Sequence, residues 1–180
     1  MEFLLHKISG QPARQTVTLR RCTPEEAPAV FALQNEVHAA MPHPEWFVTS
    51  TLEEITDYTA HSLCLGAWQD ERLGAYLTFH FCGDQPQNYA AFLGVPREEW
   101  PHWANADSAV VHPDWRGNGL QRAMLEAALP LLPPQITHLG ATVSPENPYS
   151  LRNALAAGFT IHCRREMYGG FDRYLLEKQL

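Results

Sequence analysis

The sequence predicts a mixed α/β fold in which helices pack on a central sheet. Segments with strand and helix character alternate along the chain, in the order strand, helices, hairpin, strand, helix, strand, helix, strands. No repeat, low-complexity tract or internal linker interrupts this order. With 180 residues, of which 45% are hydrophobic, the chain is long enough for one domain with a buried core. We therefore expect a single domain over residues 1–180.

The first part of the chain predicts one strand followed by two helices. Residues 1–15 fit either a tail or an added strand, and residues 17–20 form the first clear strand. The Thr-Pro-Glu-Glu segment at 23–26 combines a capping box with a proline suited to the first helical position, which predicts a helix to about Val37. A second capping box at residues 51–54 predicts the start of the next helix.

The middle of the chain predicts a hairpin and then a long crossing. Residues 63–68 and 73–81 have strand character and are joined by the polar turn 69–72. Residues 83–106 are rich in Pro, Asn and Trp and predict an irregular crossing with one helical turn. The two prolines in segment 41–47 exclude a regular helix there.

The second half of the chain alternates strands and helices more regularly. Prolines and glycines mark the ends of these elements, and apolar residues at helical spacing define the first of the helices. The predicted elements are a strand at 106–111, a helix from Leu120 to Leu131, a strand at 136–143, a helix from Asn147 to Gly158, and closing strands at 159–167 and 174–176.

Composition and charge argue against several classes of protein. The net charge of −7 disfavours a nucleic-acid binder, which usually has a basic face. No apolar run approaches the roughly 20 residues of a membrane span, and no signal peptide is evident, so we expect a cytoplasmic protein without membrane contacts. The histidines have no metal-ligand spacing, so no metal is expected. The widely spaced cysteines should be reduced thiols: Cys22, Cys64, Cys82 and Cys163.

The strongest functional signal is segment 110–131, in which a strand, a proline, a Gly-x-Gly turn and an amphipathic helix follow one another. Such a turn leaves backbone N–H groups unpaired at a helix N-terminus, where the helix dipole adds positive potential. Gly117 and Gly119 let the backbone approach an anion closely, and Arg116 adds a charged fork of donors. The segment therefore predicts a site for phosphate or pyrophosphate.

The string Val-His-Pro-Asp-Trp-Arg-Gly-Asn-Gly-Leu at residues 111–120 resembles the acetyl-CoA motif of the GNAT family of N-acetyltransferases. Arg116, Gly117 and Gly119 match that motif, whereas Gln121 stands at its last Gly/Ala position. A backbone N–H of Gln121 could still serve the motif.

A second stretch, residues 143–159, resembles the Asn-x-x-Ala/Ser helix of the same family, which ends in Gly-Phe. The resemblance extends from about residue 17 to the last residue, but specific motifs lie only within residues 107–159.

The resemblance implies a GNAT-type fold, with a central, mixed, mostly antiparallel twisted sheet of about six to seven strands and helices on both faces. It also implies that an acetyl group passes from acetyl-CoA to a primary amine by direct attack in a ternary complex. The backbone N–H of Val111 would stabilise the oxyanion that develops. The residues implied in acetyl-CoA binding are Val110, Val111, Arg116, Gly117, Asn118, Gly119, Leu120, Gln121, Asn147 and Ser150.

The sequence departs from the family at the residue that protonates the leaving thiolate. Many family members have a Tyr four residues before the Gly-Phe pair, and Ala154 stands at that position here. Tyr149 and Tyr168 are candidate replacements, and the alternative for each is an aromatic ring that packs against the core. Ser150 and water are further alternatives for the acid.

Three carboxylates are candidates for the general base. Asp107 begins the motif strand, where it could reach the acceptor through water or instead bond its own backbone. Glu36 and Glu45 are weaker candidates, the first late in the predicted first helix and the second in the Pro-rich segment.

Several functions remain compatible with these signals. An N-acetyltransferase acting on a small-molecule or peptide amine comes first, and Ala154 keeps open a non-catalytic acyl-CoA sensor. A nucleotide-phosphate binder is disfavoured because no P-loop lysine follows the glycines. A hydrolase triad lacks the nucleophile elbow that would support it. Both a monomer and a homodimer fit the sequence.

Overall fold

Eight strands and five α-helices make up the computed structural model, which describes residues 1–180. The strands are β1 (Glu2–Ile8), β2 (Gln11–Arg21), β3 (Leu63–Gln69), β4 (Arg72–His80), β5 (Trp103–Val111), β6 (His138–Val143), β7 (Thr160–Met167) and β8 (Phe171–Gln179). The helices are α1 (Ala27–Ala39), α2 (Leu52–His61), α3 (Tyr89–Phe92), α4 (Leu120–Ala128) and α5 (Pro148–Ala156). The strands form one sheet in the order β1-β2-β3-β4-β5-β6-β8-β7.

The sheet is mixed and mostly antiparallel, and helices flank it, so the predicted fold class is confirmed. Antiparallel pairs join β1 with β2, β2 with β3, and β8 with both β6 and β7, whereas β5 pairs in parallel with β6. The predicted count of six to seven strands is too low, because β1 adds a strand within residues 1–15. Only Leu5 of β1 is buried, so that segment shows no alternation that would distinguish a strand from a tail.

The chain divides into two compact units. The first unit comprises Met1–Pro42, Thr49–Thr78 and Ser108–Leu131, and it contains β1 to β3 with α1, α2 and α4. The second unit comprises His43–Val48, Phe79–Asp107 and Leu132–Leu180, and it contains β6 to β8 with α3 and α5. The single domain expected over residues 1–180 stays a prediction.

Capping chemistry sets where the first two long helices begin. The Thr51 hydroxyl accepts a hydrogen bond from the Glu54 N–H at 3.2 Å, and the Glu54 carboxylate accepts one from the Thr51 N–H at 2.7 Å. α2 therefore starts at the predicted capping box. The Glu26 carboxylate likewise accepts from the Thr23 N–H at 2.9 Å, but a 3-10 turn follows and α1 begins only at Ala27.

In the second half of the chain, two strands are longer than predicted because of their partners. β5 begins at Trp103 rather than at residue 106, since Trp103–Ala106 pairs with His138–Ala141 of β6. β8 extends well beyond the predicted 174–176, since it pairs with a strand on each side. Residues 83–102, which were predicted as an irregular crossing, contain α3 and a 3-10 turn. Aromatic residues from this part of the chain pack into the core of the second unit. That core consists of Tyr89, Ala90, Leu93, Trp103, Met167 and Leu175.

Two compositional predictions can be compared with the structure. The four cysteines are free thiols, and Cys22, Cys64 and Cys82 are buried. No helix combines the length with the hydropathy that a membrane span requires.

Candidate functional site

The glycine loop, residues 116–120, joins the end of β5 to α4 in the first unit. β5 stops at Val111, a 3-10 turn spans Pro113–Trp115, and the chain then passes through Gly117 and Gly119 with φ values of 80° and 70°. These left-handed values favour glycine. The backbone N–H groups of residues 117–120 donate to no acceptor in the chain. A Cβ atom on either glycine would meet nothing within 4 Å, so the loop is open to an anion.

Arg116 supplies a cationic side chain beside these N–H groups. Its Nε donates to the Val111 carbonyl at 3.1 Å, which folds the side chain back across the loop. The residue is exposed, and its two Nη groups make no hydrogen bond within the chain. The loop therefore combines unpaired backbone donors, a helix N-terminus and a guanidinium, which together suit a pyrophosphate.

The side chain of Asn118 ties the glycine loop to β1. Its Oδ1 accepts from the His6 N–H at 2.7 Å and from the Lys7 N–H at 3.0 Å. Its Nδ2 donates to the Lys7 carbonyl at 2.8 Å and to the Trp115 carbonyl at 2.9 Å. Because all of these bonds use the side chain, the backbone N–H of Asn118 stays available to a ligand.

The turn between β1 and β2 fastens the same region a second time. The Ser9 N–H donates to the Asp114 carbonyl at 2.7 Å, and the Ser9 hydroxyl donates to the Asp114 carboxylate at 2.7 Å. Arg72 donates to the other oxygen of that carboxylate at 3.1 Å. These donors lower the pKa of Asp114. β1 and its turn lie in a segment whose sequence fits either a tail or an added strand, and they help to position the glycine loop.

Trp115 anchors the loop from below. Its side chain is fully buried, and it lies so close to Gly74 of β4 that a Cβ at position 74 would come within 2.2 Å of the ring. Gly74 also accepts a hydrogen bond from the His112 N–H at 2.8 Å. Only glycine at position 74 leaves room for both contacts, so the placement of the loop depends on a residue outside the motif.

His112 is held between two acidic residues. Its Nδ1 accepts from the Asp114 N–H at 3.2 Å, and its Nε2 lies 3.0 Å from the Glu36 carboxylate. The pair of contacts fits an imidazole that carries its proton on Nε2. Glu36, one of the weaker candidates for the general base, therefore has its carboxylate in contact with His112.

Tyr168 lies in a hydrogen-bonded cluster in the second unit. Its hydroxyl is 2.5 Å from the Tyr89 hydroxyl and 2.9 Å from the Thr142 hydroxyl. Its φ of 55° is unusual for a bulky residue and shows that the β7–β8 turn holds it in a strained conformation. The residue as a whole is 41% exposed, and partial burial raises the pKa of its hydroxyl.

Asp107 shares the electrostatic environment of this cluster. Burial is the main cause that raises the pKa of Tyr89 well above its ordinary value, and the charges of Tyr168 and Asp107 raise it further. The Asp107 charge also raises the pKa of Tyr168. The candidate base and the candidate acid therefore both influence the Tyr89 hydroxyl, and their catalytic roles stay predictions.

Comparison with known proteins identifies the family. The sequence profile described as the acetyltransferase (GNAT) domain matches residues 16–160. The chain belongs to the GNAT acetyltransferase family. A search of curated protein sequences finds no match to this chain.

Solved structures of GNAT proteins share the fold. A GNAT-family acetyltransferase from Streptococcus pneumoniae superposes with a TM-score of 0.68 at 17% identity, covering 91% of this chain and 99% of that one. The ribosomal-protein-S18-alanine N-acetyltransferase from Escherichia coli gives 0.66 at 16%, covering 91% and 93%. The yncA protein of Salmonella typhimurium, solved with its cofactor acetyl-CoA, gives 0.67 at 16%, covering 92% and 94%.

The second GNAT-like stretch, residues 143–159, contains the whole of α5. Asn147 caps the helix, since its Oδ1 accepts from the Ser150 N–H at 3.0 Å. Tyr149 points outward, is 71% exposed and makes no hydrogen bond within the chain. Ala154 lies on the same helix, half-buried. The roles suggested for Asn147 and Ser150 toward acetyl-CoA stay predictions.

The residues that sequence reasoning missed act through long-range contacts. Tyr89 lies in the segment predicted as irregular, and it packs so tightly on Gly140 that a Cβ there would be 2.6 Å from the Tyr89 Cβ. Gly74 acts through β4, where it leaves room for the Trp115 ring. No local pattern marks these partners, although Tyr89 could have been noticed as an aromatic residue directly after a helix-capping Asn88.

Proposed function

We propose that this GNAT protein transfers the acetyl group of acetyl-CoA to a primary amine by direct attack in a ternary complex. The observation that carries the proposal is the glycine loop, in which four consecutive backbone N–H groups lack acceptors at the N-terminus of α4. An open cradle of this kind fits the pyrophosphate of coenzyme A. The relatives from Escherichia coli and Streptococcus pneumoniae support the same class of reaction.

Acetyl-CoA supplies the acetyl group as an activated thioester. The backbone of residues 117–120 and the Arg116 guanidinium would hold its pyrophosphate, with Gln121 extending the row of N–H groups into α4. Val110 and Val111 at the end of β5, together with Asn147 and Ser150 at the start of α5, are the residues proposed to contact the rest of the molecule.

Three residues of the chain would stabilise the developing charge and transfer the protons of the reaction. The backbone N–H of Val111 would stabilise the negative charge that develops on the acetyl oxygen. Asp107 would remove a proton from the acceptor ammonium through water. Tyr168 would give its proton to the leaving thiolate and replace the Tyr that is missing at Ala154. The Tyr168 hydroxyl is protonated at neutral pH, as a proton donor must be, and burial raises its pKa, which makes it a weaker acid than an exposed tyrosine.

A non-catalytic acyl-CoA sensor is the second candidate, because Ala154 occupies the position of the usual acid. We further propose that the acceptor is a small-molecule or peptide amine and that the chain acts in the cytoplasm as a monomer or homodimer, without nucleic acid or membrane partners.

Amine-dependent release of coenzyme A tests the proposal. Purified protein is mixed with acetyl-CoA and a panel of amino acids, polyamines, aminoglycosides and short peptides, and free thiol is measured against time. We expect thiol release above the amine-free control for at least one class, with the acetylated amine found by mass spectrometry. Tight binding of acetyl-CoA without release for every acceptor would establish the sensor instead.

A further inference from the structure

The second unit contains a small pocket. Its volume is about 180 Å³, and it is formed by the segment His43–Val48, the turn after β6, and the β7–β8 hairpin. The charged residues that line it are Glu45, Glu146, Arg164, Asp172 and Arg173.

Arg173 is the buried cation of this pocket. The residue is only 4% exposed, yet no carboxylate lies within ion-pair distance of its guanidinium. Its Nη1 donates to the Asp172 carbonyl at 2.9 Å and its Nη2 to the Glu45 carbonyl at 2.8 Å. A guanidinium carries five N–H donors, so three remain without an acceptor. Desolvation lowers the pKa of Arg173, and this effect exceeds the opposing influence of the nearby Asp172 charge.

Most of the other charges in the pocket already have partners. Arg164 pairs with the Asp172 carboxylate through both Nε and Nη2. The Glu45 carboxylate lies 3.2 Å from His43 Nδ1. Glu146 has no ion pair, but it is exposed to solvent, which can solvate its charge. Arg173 is therefore the one buried charge in the pocket, and it has no ion pair of its own, so an anionic ligand would stabilise it.

The surroundings of Arg173 fix its orientation. The guanidinium carbon lies 5.1 Å from the centre of the Phe171 ring and 5.9 Å from that of the Tyr168 ring. These contacts and the two backbone carbonyls hold the planar fork in one arrangement. A fork held in this way matches a carboxylate, which can accept two parallel hydrogen bonds. The ring of the proposed acid, Tyr168, also lies beside the cation that would bind the ligand.

We propose that the acceptor carries a carboxylate, which Arg173 binds in this pocket. Since the proposed function requires an amine on the same molecule, the acceptor class is an amino acid or a close analogue with a free amine and a carboxylate. This inference rests on the proposed N-acetyltransferase activity for the identity of the amine. The binding of the carboxylate does not depend on that activity and can be measured separately.

Matched pairs of acceptors test this proposal without any mutation. Each pair is an L-amino acid and its carboxamide, for example methionine and methioninamide, or phenylalanine and phenylalaninamide. We expect kcat/KM for the acid to exceed that for the amide by about 10- to 100-fold in at least one pair, as a charge-assisted hydrogen bond would provide. Equal values in every pair, or turnover only of amines without a carboxylate, would overturn the inference and leave the proposed function intact.

Variants of Arg173 then separate ligand binding from a structural role. Arg173→Met should abolish the preference for the acid, and Arg173→Lys should retain part of it. Differences in amine basicity within a pair cancel, because the ratio is compared between proteins. Arg165→Met is the control, since Arg165 also donates to a backbone carbonyl, at 3.1 Å, and stacks on an aromatic ring, but does not line the pocket. Its acid-to-amide ratio should equal that of the wild type.

Two further outcomes would contradict the assignment. Equal loss of both members of each pair in Arg173→Met would make Arg173 a structural residue. A raised KM for acetyl-CoA with an unchanged acid-to-amide ratio would assign its charge to a phosphate of the cofactor. If no amine releases thiol at all, the proposed function fails, and calorimetric titration with the amino acids and their amides still decides whether the pocket binds a carboxylate.

Discussion

Replacing Gly119 with valine is expected to raise the Kd for acetyl-CoA by about 100-fold, the effect of losing one or two charge-assisted hydrogen bonds. Gly119 has a φ of 70°, which a β-branched residue adopts only with strain, and it is the N-cap of α4. Relief of that strain would turn the backbone N–H groups away from the anion, and the added side chain would block their approach. Calorimetric titration with acetyl-CoA measures the change.

Gly94→Val is the matched control for this variant. Gly94 has a φ of 74°, is exposed, and likewise has nothing within 4 Å of an added Cβ, but it lies after α3 in the second unit. The backbone strain should lower thermal stability to a similar extent in both variants. Only Gly119→Val should lose acetyl-CoA affinity. An equal loss in both variants would show that strain alone is responsible and would remove the loop from the account.

Replacing Tyr168 with phenylalanine is expected to lower kcat by about 100-fold, at the lower end of the usual contribution of general acid catalysis. The substitution keeps the aromatic ring and removes the hydroxyl. Of the two hydrogen-bonded tyrosines, only Tyr168 lies at the β7–β8 turn; Tyr89 belongs to α3. The KM for acetyl-CoA should change little, because the pyrophosphate contacts lie in the glycine loop. Steady-state kinetics with the best acceptor from the amine panel provides both constants.

Two other tyrosine variants make the Tyr168 result specific. Tyr174→Phe removes a hydroxyl from β8 that makes no hydrogen bond within the chain, and it should leave kcat unchanged. Tyr149→Phe tests the second candidate acid, whose exposed position makes a large effect unexpected. Loss of turnover in Tyr149→Phe with normal turnover in Tyr168→Phe would reverse the assignment. Normal turnover in both would leave Ser150 or water as the source of the proton.

The parts of the fold that sequence predicts well are those that depend on neighbouring residues. The capping box at Thr51, the hairpin of β3 and β4, and the strand-turn-helix around the glycine loop all follow from local patterns. The family resemblance rests on the same local stretch. These features are visible because backbone preferences and capping act within one or two turns of the chain.

The parts that sequence does not predict depend on partners far along the chain. β1 is a strand because it pairs with β2, although only Leu5 in it is buried. The early start of β5 reflects its parallel partner β6. In the site, Asn118 reaches His6 and Lys7, and Gly74 makes room for Trp115. No periodicity or spacing in the sequence encodes such contacts.

The candidate acid and the acceptor pocket also depend on contacts between residues that are far apart in the chain. Tyr168 could be suggested from its residue type and its place near the last strands, but its hydroxyl partners Tyr89 and Thr142 come from other elements. Arg173 was not singled out by sequence, because a lone arginine in a strand carries no signal. Its significance comes from burial without a carboxylate partner, which only the folded chain shows.

Titration of the wild-type protein with acetyl-CoA and with S-acetylpantetheine tests the central role of the glycine loop most directly. The second compound keeps the thioester and the pantetheine arm but lacks the pyrophosphate and the adenosine. We predict one acetyl-CoA bound per chain, at least about 100-fold more tightly than S-acetylpantetheine, since the unpaired N–H groups and Arg116 would contact only the former. Equal affinity for the two compounds, or no binding of acetyl-CoA, would contradict the account.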